Sequence, residues 1–235
     1  MWAAVCCLAA ISLDRPLLAQ RDSIPPDYPQ SLERDRNVLL ASLSQDGPSA
    51  ALFTQLAEVY LNIADDLFTD DKKRLAAYEE GARLARKAFE LQDVNAEAHF
   101  LYAANLGHVA RLQGTPAAAL LVREIKAHVA RAIEIRPDHA PSLQMMGGLL
   151  AELPWFLGGD VRAAEDYLKR AIAVDGDYTN ARLLLAKLLI KQDRLEQASQ
   201  QLRAVIQADH PHYPYTWERL FKPEAERLLQ SLKSR

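Results

Sequence analysis

The sequence predicts an all-α chain: a right-handed α-solenoid of about four helix pairs, closed by a C-terminal capping helix. Three observations carry that prediction. Apolar residues fill 49% of the 235 positions and glycines number only nine, a balance that favours helix over strand. Apolar positions recur at three- and four-residue spacing through most of the chain. From Ala85 onward one helix-turn-helix pattern returns, keyed by small residues at matching places.

The first residues stand apart. "MWAAVCCLAAISL" is an apolar run of twelve residues after Met1, ending at Asp14. That length suits a secretory h-region and is too short to span a membrane. Residues 1–20 are therefore expected to be a signal peptide, and the protein periplasmic or otherwise exported. No Lys or Arg precedes the run, so a buried or frayed amphipathic start, with a cytoplasmic protein, stays open beside it. Both cysteines, Cys6 and Cys7, lie inside the run, so a cleaved chain would carry neither disulfide nor thiol chemistry. Residues 21–30, "RDSIPPDYPQ", hold three prolines and read as an extended linker before a helical domain over 31–235.

The first helix carries Leu32, Leu39, Leu40 and Leu43 on one face and stops at Gly47-Pro48. A second carries Leu52, Leu56, Val59, Tyr60 and Ile63, after which "DDLFTDDKK" turns the chain; a third runs from about Arg74 to Leu91. Then the repeat shows itself in "ARKAFELQDVNAEAHFLYAANLG", "VARAIEIRPDHAPSLQMMGGLLA" and "LKRAIAVDGDYTNARLLLAKLLI". Ala88, Ala132, Ala171 and Val205 align, as do the small mid-helix residues Ala103, Gly147 and Ala186. This is the pattern of the tetratricopeptide repeat (TPR), whose small residues let neighbouring helices approach closely. The spacing from Ala171 to Val205 is thirty-four; the two before it are five and ten residues longer, which predicts insertions between the paired helices of two units.

The five extra residues of the third unit fall in "LPWFLGGD". Pro154 ends one helix, Gly158-Gly159 permit unusual backbone angles, and Asp160 caps the next helix. Trp155 and Phe156 thus sit on a turn at one edge of the array. They are read either as a plug folded onto the local core or as an aromatic anchor for a partner or another subunit. After Asp209, "HPHYPYTWERLFKP" breaks the helical period and predicts an irregular course, before a capping helix from Pro223 to Leu232.

Over roughly Phe53 to Leu232, "AEAHFLYAANLGHVARLQG" and the stretch from "VREIKAHVARAIEIRPDHAPSLQMMGGLLAELPWFLGGD" onward resemble two related TPR-like groups. One is the TRAP-transporter T-component family of bacteria, where a leucine-proline turn followed by "GGD" and an alanine-rich helix recurs. The other, similar around "IKAHVARAIEIRPDHAPSLQMMGGLLAEL", is the regulator of microtubule dynamics group of eukaryotes. The first resemblance implies a periplasmic helical protein that partners a substrate-binding protein of a TRAP-type transporter, in a trimeric assembly with a ligand-accessible pore. No ligand-contacting residue carries over by motif.

The sequence points to no catalytic chemistry. Net charge is −3 with both signs interspersed, which gives no reason to expect nucleic acid or an anionic membrane as partner. No two of the six histidines stand at i, i+4 on one helix with an acidic partner, as a helical zinc site would need, and no phosphate loop or nucleophile elbow appears. "HPHYP" reads as a polar surface loop, His99 as a packing histidine, and Asp65, Asp66, Asp70 and Asp71 as a solvated helix end, with Asp70 or Asp71 capping the next helix. The expected function is non-catalytic binding, without metal, cofactor or membrane span. A concave face lined by the first helix of each pair would offer Asn105, His108, Gln144, Arg182 and Lys187 to a peptide or protein partner. Two rivals remain: a generic TPR adaptor, and an apolar-ligand carrier with its cavity near Trp155.

Overall fold

Antiparallel helix pairs follow one another along the chain because each helix has an apolar stripe that only a neighbour can cover. The computed structural model describes residues 24–233, the side chains of 115–119 excepted. A first helix, α1 (Ser31–Asp46), precedes four pairs. These are α2 (Ala50–Asn62) with α3 (Asp71–Leu91), α4 (Ala96–Gln113) with α5 (Thr115–Ile135), α6 (Ala140–Glu152) with α7 (Val161–Val174), and α8 (Thr179–Lys191) with α9 (Leu195–Ile206). Beyond a helical turn, α10 (Pro214–Thr216), the last helix α11 (Lys222–Lys233) packs on α9. The fold is the expected all-α, TPR-like solenoid with a terminal cap.

Helix starts are set where side chains take up unpaired amides. Ser49 accepts from the Leu52 amide at 3.2 Å, Asp70 from Lys73 at 3.0 Å and Asn95 from Ala98 at 3.0 Å. The aligned positions Ala88, Ala132, Ala171 and Val205 are all fully buried, as are Ala103 and Ala186. Gly147 does the same work more tightly: a Cβ there would lie 2.7 Å from Leu168 Cγ and 3.1 Å from the Ala164 carbonyl oxygen. The helices of the third pair approach at the distance only glycine permits. Buried clusters then progress from Leu32, Val59 and Tyr78 at one end to Leu202, Val205 and Ala225 at the other.

Several local expectations are corrected. The ten additional residues of the second unit form no inserted loop; α4 and α5 are 18 and 21 residues long and only Gly114 joins them. Repeat spacing measures total length, so it cannot say whether extra residues widen a turn or lengthen both helices. Leu40 points to solvent. "DDLFTDDKK" begins as helix, because α2 runs on into a π-turn over Ile63–Leu67. Within the proposed linker, residues 26–30 are turns and not extended, with the Tyr28 amide bonded to the Pro25 carbonyl at 2.9 Å. The segment after Asp209 is irregular only to Tyr213; from Pro214 it is helical, through a π-turn at Trp217–Phe221. The proposed signal peptide lies outside the described residues.

Candidate functional site

The concave face follows from periodicity on α4. Glu97, Leu101, Ala104, His108 and Arg111 recur at three and four residues and form one stripe along the inner surface. Glu58 and Leu61 of α2 flank it on one side and Gln144 and Met145 of α6 on the other. Together they floor a groove of about 610 Å³. Its roof is what sequence reading missed. The turns at Ile24–Tyr28 and the segment Tyr213–Phe221 reach over the stripe from opposite ends of the chain. They meet where Tyr28 and Tyr215 contact edge to face, 4.7 Å between ring centroids.

This strap is anchored throughout. Tyr213 is half-buried against Tyr178, the two rings edge to face with centroids 6.1 Å apart. The His212 amide donates to the Asp177 carbonyl at 3.2 Å and its Nδ1 lies 2.9 Å from Asp175 Oδ2, so "HPHYP" is no polar surface loop. The Trp217 indole donates to the Val205 carbonyl at 2.7 Å. Tyr28 donates to Asp66, and Thr216 bonds the same carboxylate. The one sequence signal for a packed strap was aromatic density inside proline-rich segments: Tyr28, Tyr213, Tyr215 and Trp217.

Of the five polar candidates, the structure brings two to the groove. His108 and Gln144 line it. Asn105 is fully buried; it faces α3, where Gly81 leaves room for its side-chain amide, and donates to the Leu101 carbonyl at 2.8 Å. Arg182 is held at the Gly176 carbonyl, 2.8 Å, and at Gln201 Oε1, 3.0 Å. Lys187 pairs with Glu224 of the cap at 3.3 Å. The last three thus tie elements together and are not among the residues that line this groove. Trp155 and Phe156 are 85% and 68% exposed, so the plug reading fails, and the groove lies elsewhere than the cavity a carrier would need near Trp155.

Electrostatically the groove leans acidic. Glu58, Asp65, Asp66 and Glu97 face Arg74 and Arg111. His108 stacks on Tyr78, 4.5 Å between centroids, and burial pushes its pKa below the usual value. Arg111 donates to its Nδ1 at 2.8 Å, which requires that nitrogen unprotonated. The acidic cluster is the expected solvated helix end at Asp65, Asp70 and Asp71, all exposed, with Asp70 capping α3; only Asp66 departs from that reading, being half-buried, and Asp65 also accepts from Tyr78 at 2.5 Å. His99 is buried as expected, stacked on Phe89 and 2.8 Å from His128 through their Nδ1 atoms.

Burial pushes the Asp66 carboxyl up to about 6, against the pull of the Tyr28 hydrogen bond. The folded value lies above the ordinary 3.8, so the folded protein holds a proton there that the unfolded chain releases. Stability from this group is complete below the unfolded value and is lost as pH rises through about 6. Asp66→Asn, permanently neutral, should therefore gain on wild type by roughly 2 kcal/mol between about pH 4 and pH 7. Paired urea titrations at both pH values measure it; a difference that does not change with pH would refute the assignment.

Similarity to known proteins agrees with this geometry. A family model described as "Regulator of microtubule dynamics protein 1-3" matches residues 17–156, and one described as "Tetratricopeptide repeat" matches residues 156–217. Regulator of microtubule dynamics protein 1 of Bos taurus is 28% identical over 178 residues, 69% of this chain and 56% of that protein. The Homo sapiens protein of that name is 30% identical over 139 residues, 52% of this chain and 44% of that one. The match thus spans about half the length of these relatives. Among solved structures, a thermophilic TPR protein of Thermus thermophilus superposes with a TM-score of 0.63 at 16% identity, over 84% of this chain and 92% of that one. MamA superposes with a TM-score of 0.51 at 11% identity, over 74% and 86%. At such identities both likenesses show the fold alone.

Proposed function

This chain belongs to the regulator of microtubule dynamics protein 1-3 family, and from that premise we propose that it is a non-catalytic scaffold whose strapped concave groove holds a short segment of a protein partner. The observation that carries the reading is the groove itself. It is large enough for a few residues, walled by Phe100, Tyr178 and Tyr215, and set with more carboxylates than cations. That chemistry selects a segment with a Lys or Arg between apolar side chains: the aliphatic stem lies on the aromatic walls and the cation meets Asp65 or Glu58. The narrower reading, a periplasmic accessory of a TRAP-type transporter that trimerises and partners a substrate-binding protein, draws no support from the matched relatives. Nor does their name assign this chain a partner, so the partner is defined here by chemistry.

The test is selection of peptides from a random library, with affinities read by fluorescence anisotropy. Basic-apolar sequences should emerge. Gln144→Lys, which adds a cation to the groove wall, should weaken them at least about tenfold without altering helix content. Selected peptides that are acidic, or that bind Gln144→Lys as well as wild type, would overturn the reading.

A further inference from the structure

The turn between α6 and α7 is built to present its apolar side chains and not to hide them. Trp155, Phe156 and Leu157 are 85%, 68% and 40% exposed on a single 3₁₀ turn. The turn is fixed by backbone bonds: Leu157 and Gly159 amides to the Pro154 carbonyl at 2.9 and 3.0 Å, and the Asp160 amide to the Leu150 carbonyl at 3.0 Å. Gly158 adopts φ +84°, and at Gly159 a Cβ would overlap the Leu153 carbonyl oxygen, so each place demands glycine. The rings of Trp155 and Phe156 brace one another edge to face at 6.0 Å. A rigid tip of this kind holds large apolar groups in water at a standing cost, which signals an apolar medium or surface that receives them.

The surroundings say which. Lys126 of α5 donates to the Gly158 carbonyl at 3.1 Å, Arg123 lies beside Leu157 on the same face of α5, and Arg162 follows the turn in the first turn of α7. Among the described residues none of these three cations is in an ion pair. The carboxylates that flank the turn are taken: Asp160 caps α7 through the Arg162 and Ala163 amides, and Glu152 pairs with Lys191 at 3.2 Å. Aromatics at a projecting tip, ringed by unpaired cations, match the zone of a bilayer where indole rings settle and lipid phosphates lie just above. No helix among the described residues is long and apolar enough to cross a membrane, so contact of this kind is peripheral.

We propose that the Trp155–Phe156–Leu157 turn is a docking tip for an anionic lipid surface, with Trp155 and Phe156 entering the headgroup region and Arg123, Lys126 and Arg162 meeting lipid phosphates. The tip lies outside the groove lining, so the chain can hold a segment and a membrane at once. The inference does not rest on the groove reading.

The test is co-sedimentation of the whole chain with vesicles of phosphatidylcholine alone or mixed with phosphatidylserine. Wild type should partition onto the mixed vesicles and much less onto the neutral ones. Trp155→Ser with Phe156→Ser should reduce partition about tenfold or more. Arg123→Gln with Arg162→Gln, which leaves the turn untouched and guards against a folding failure in the first variant, should reduce it about fivefold per cation. Wild type that stays in solution, equal binding to neutral vesicles, or variants that bind like wild type would each overturn the proposal. So would a wild-type dimer that the Trp155 and Phe156 changes disperse while vesicle binding is absent, since the tip would then be a contact between copies.

Discussion

Truncating Leu168 to Ala should lower the unfolding free energy by about 3–5 kcal/mol. Leu168 is fully buried in α7 and lies over Gly147 of α6, inside the largest apolar cluster of the array. Its removal leaves a hole that close-packed neighbours cannot fill. Gly147→Ala should also destabilise, by about 1–3 kcal/mol, because its new methyl would meet Leu168 Cγ at 2.7 Å. The two changes compensate each other, since a methyl at 147 enters the space that Leu168 vacates. The double variant should be better than the sum of the singles by roughly 1–2 kcal/mol. Rescue stays partial because the Ala164 carbonyl oxygen, 3.1 Å away, is backbone and does not yield. Urea denaturation of the four proteins measures the cycle; strict additivity would show that α6 and α7 are not locked by this contact.

That glycine was legible in the sequence, and the reason separates what could be read from what could not. Small residues at repeat spacing imply close helices whatever the rest of the chain does, so Ala88, Ala132, Gly147 and Ala171 placed the pairs correctly. The glycine pair and proline of "LPWFLGGD" placed the turn and its cap, because those constraints act within a few residues. Long-range facts were not available that way. Asn105 looked like an exposed polar residue on a groove helix; only the bare backbone of Gly81, on another helix, makes it a core residue. Arg182 and Lys187 sit on the right helix, but their side chains are claimed by Gln201 and Glu224. The strap depends on residues as far apart as Tyr28 and Tyr215, whose meeting no local pattern encodes. Proline in both segments suggested an extended linker and an irregular course. Proline also lowers the entropy lost on ordering, which suits a segment that must lie still over a groove.

Glu97→Ala should cost about 3–5 kcal/mol, comparable to the core truncation though its origin is polar. Glu97 stands in the first turn of α4, where it accepts from His139 Nε2 at 3.0 Å and from Arg136 at 3.1 Å. His139 is 3% exposed, and its other ring nitrogen lies 2.6 Å from Ser142 Oγ. One carboxylate therefore joins the start of α4 to the end of α5 and the start of α6, the corner where two repeat units meet. Removing it strands a buried imidazole N–H and an arginine together, whereas Glu97→Gln keeps an acceptor for His139 and should cost nearer 1–2 kcal/mol. Burial alone would raise the Glu97 pKa, but the hydrogen bond and charge of His139, with Arg136, outweigh it and hold the group below its ordinary 4.5. The contribution is therefore complete above the unfolded value and lost as pH falls through the folded one, opposite in sense to Asp66. The advantage of wild type over Glu97→Gln should shrink as the solution is acidified below about pH 4.5. Parallel stability curves for the two proteins down to acid unfolding would show that the corner is held by shape alone and not by this charge.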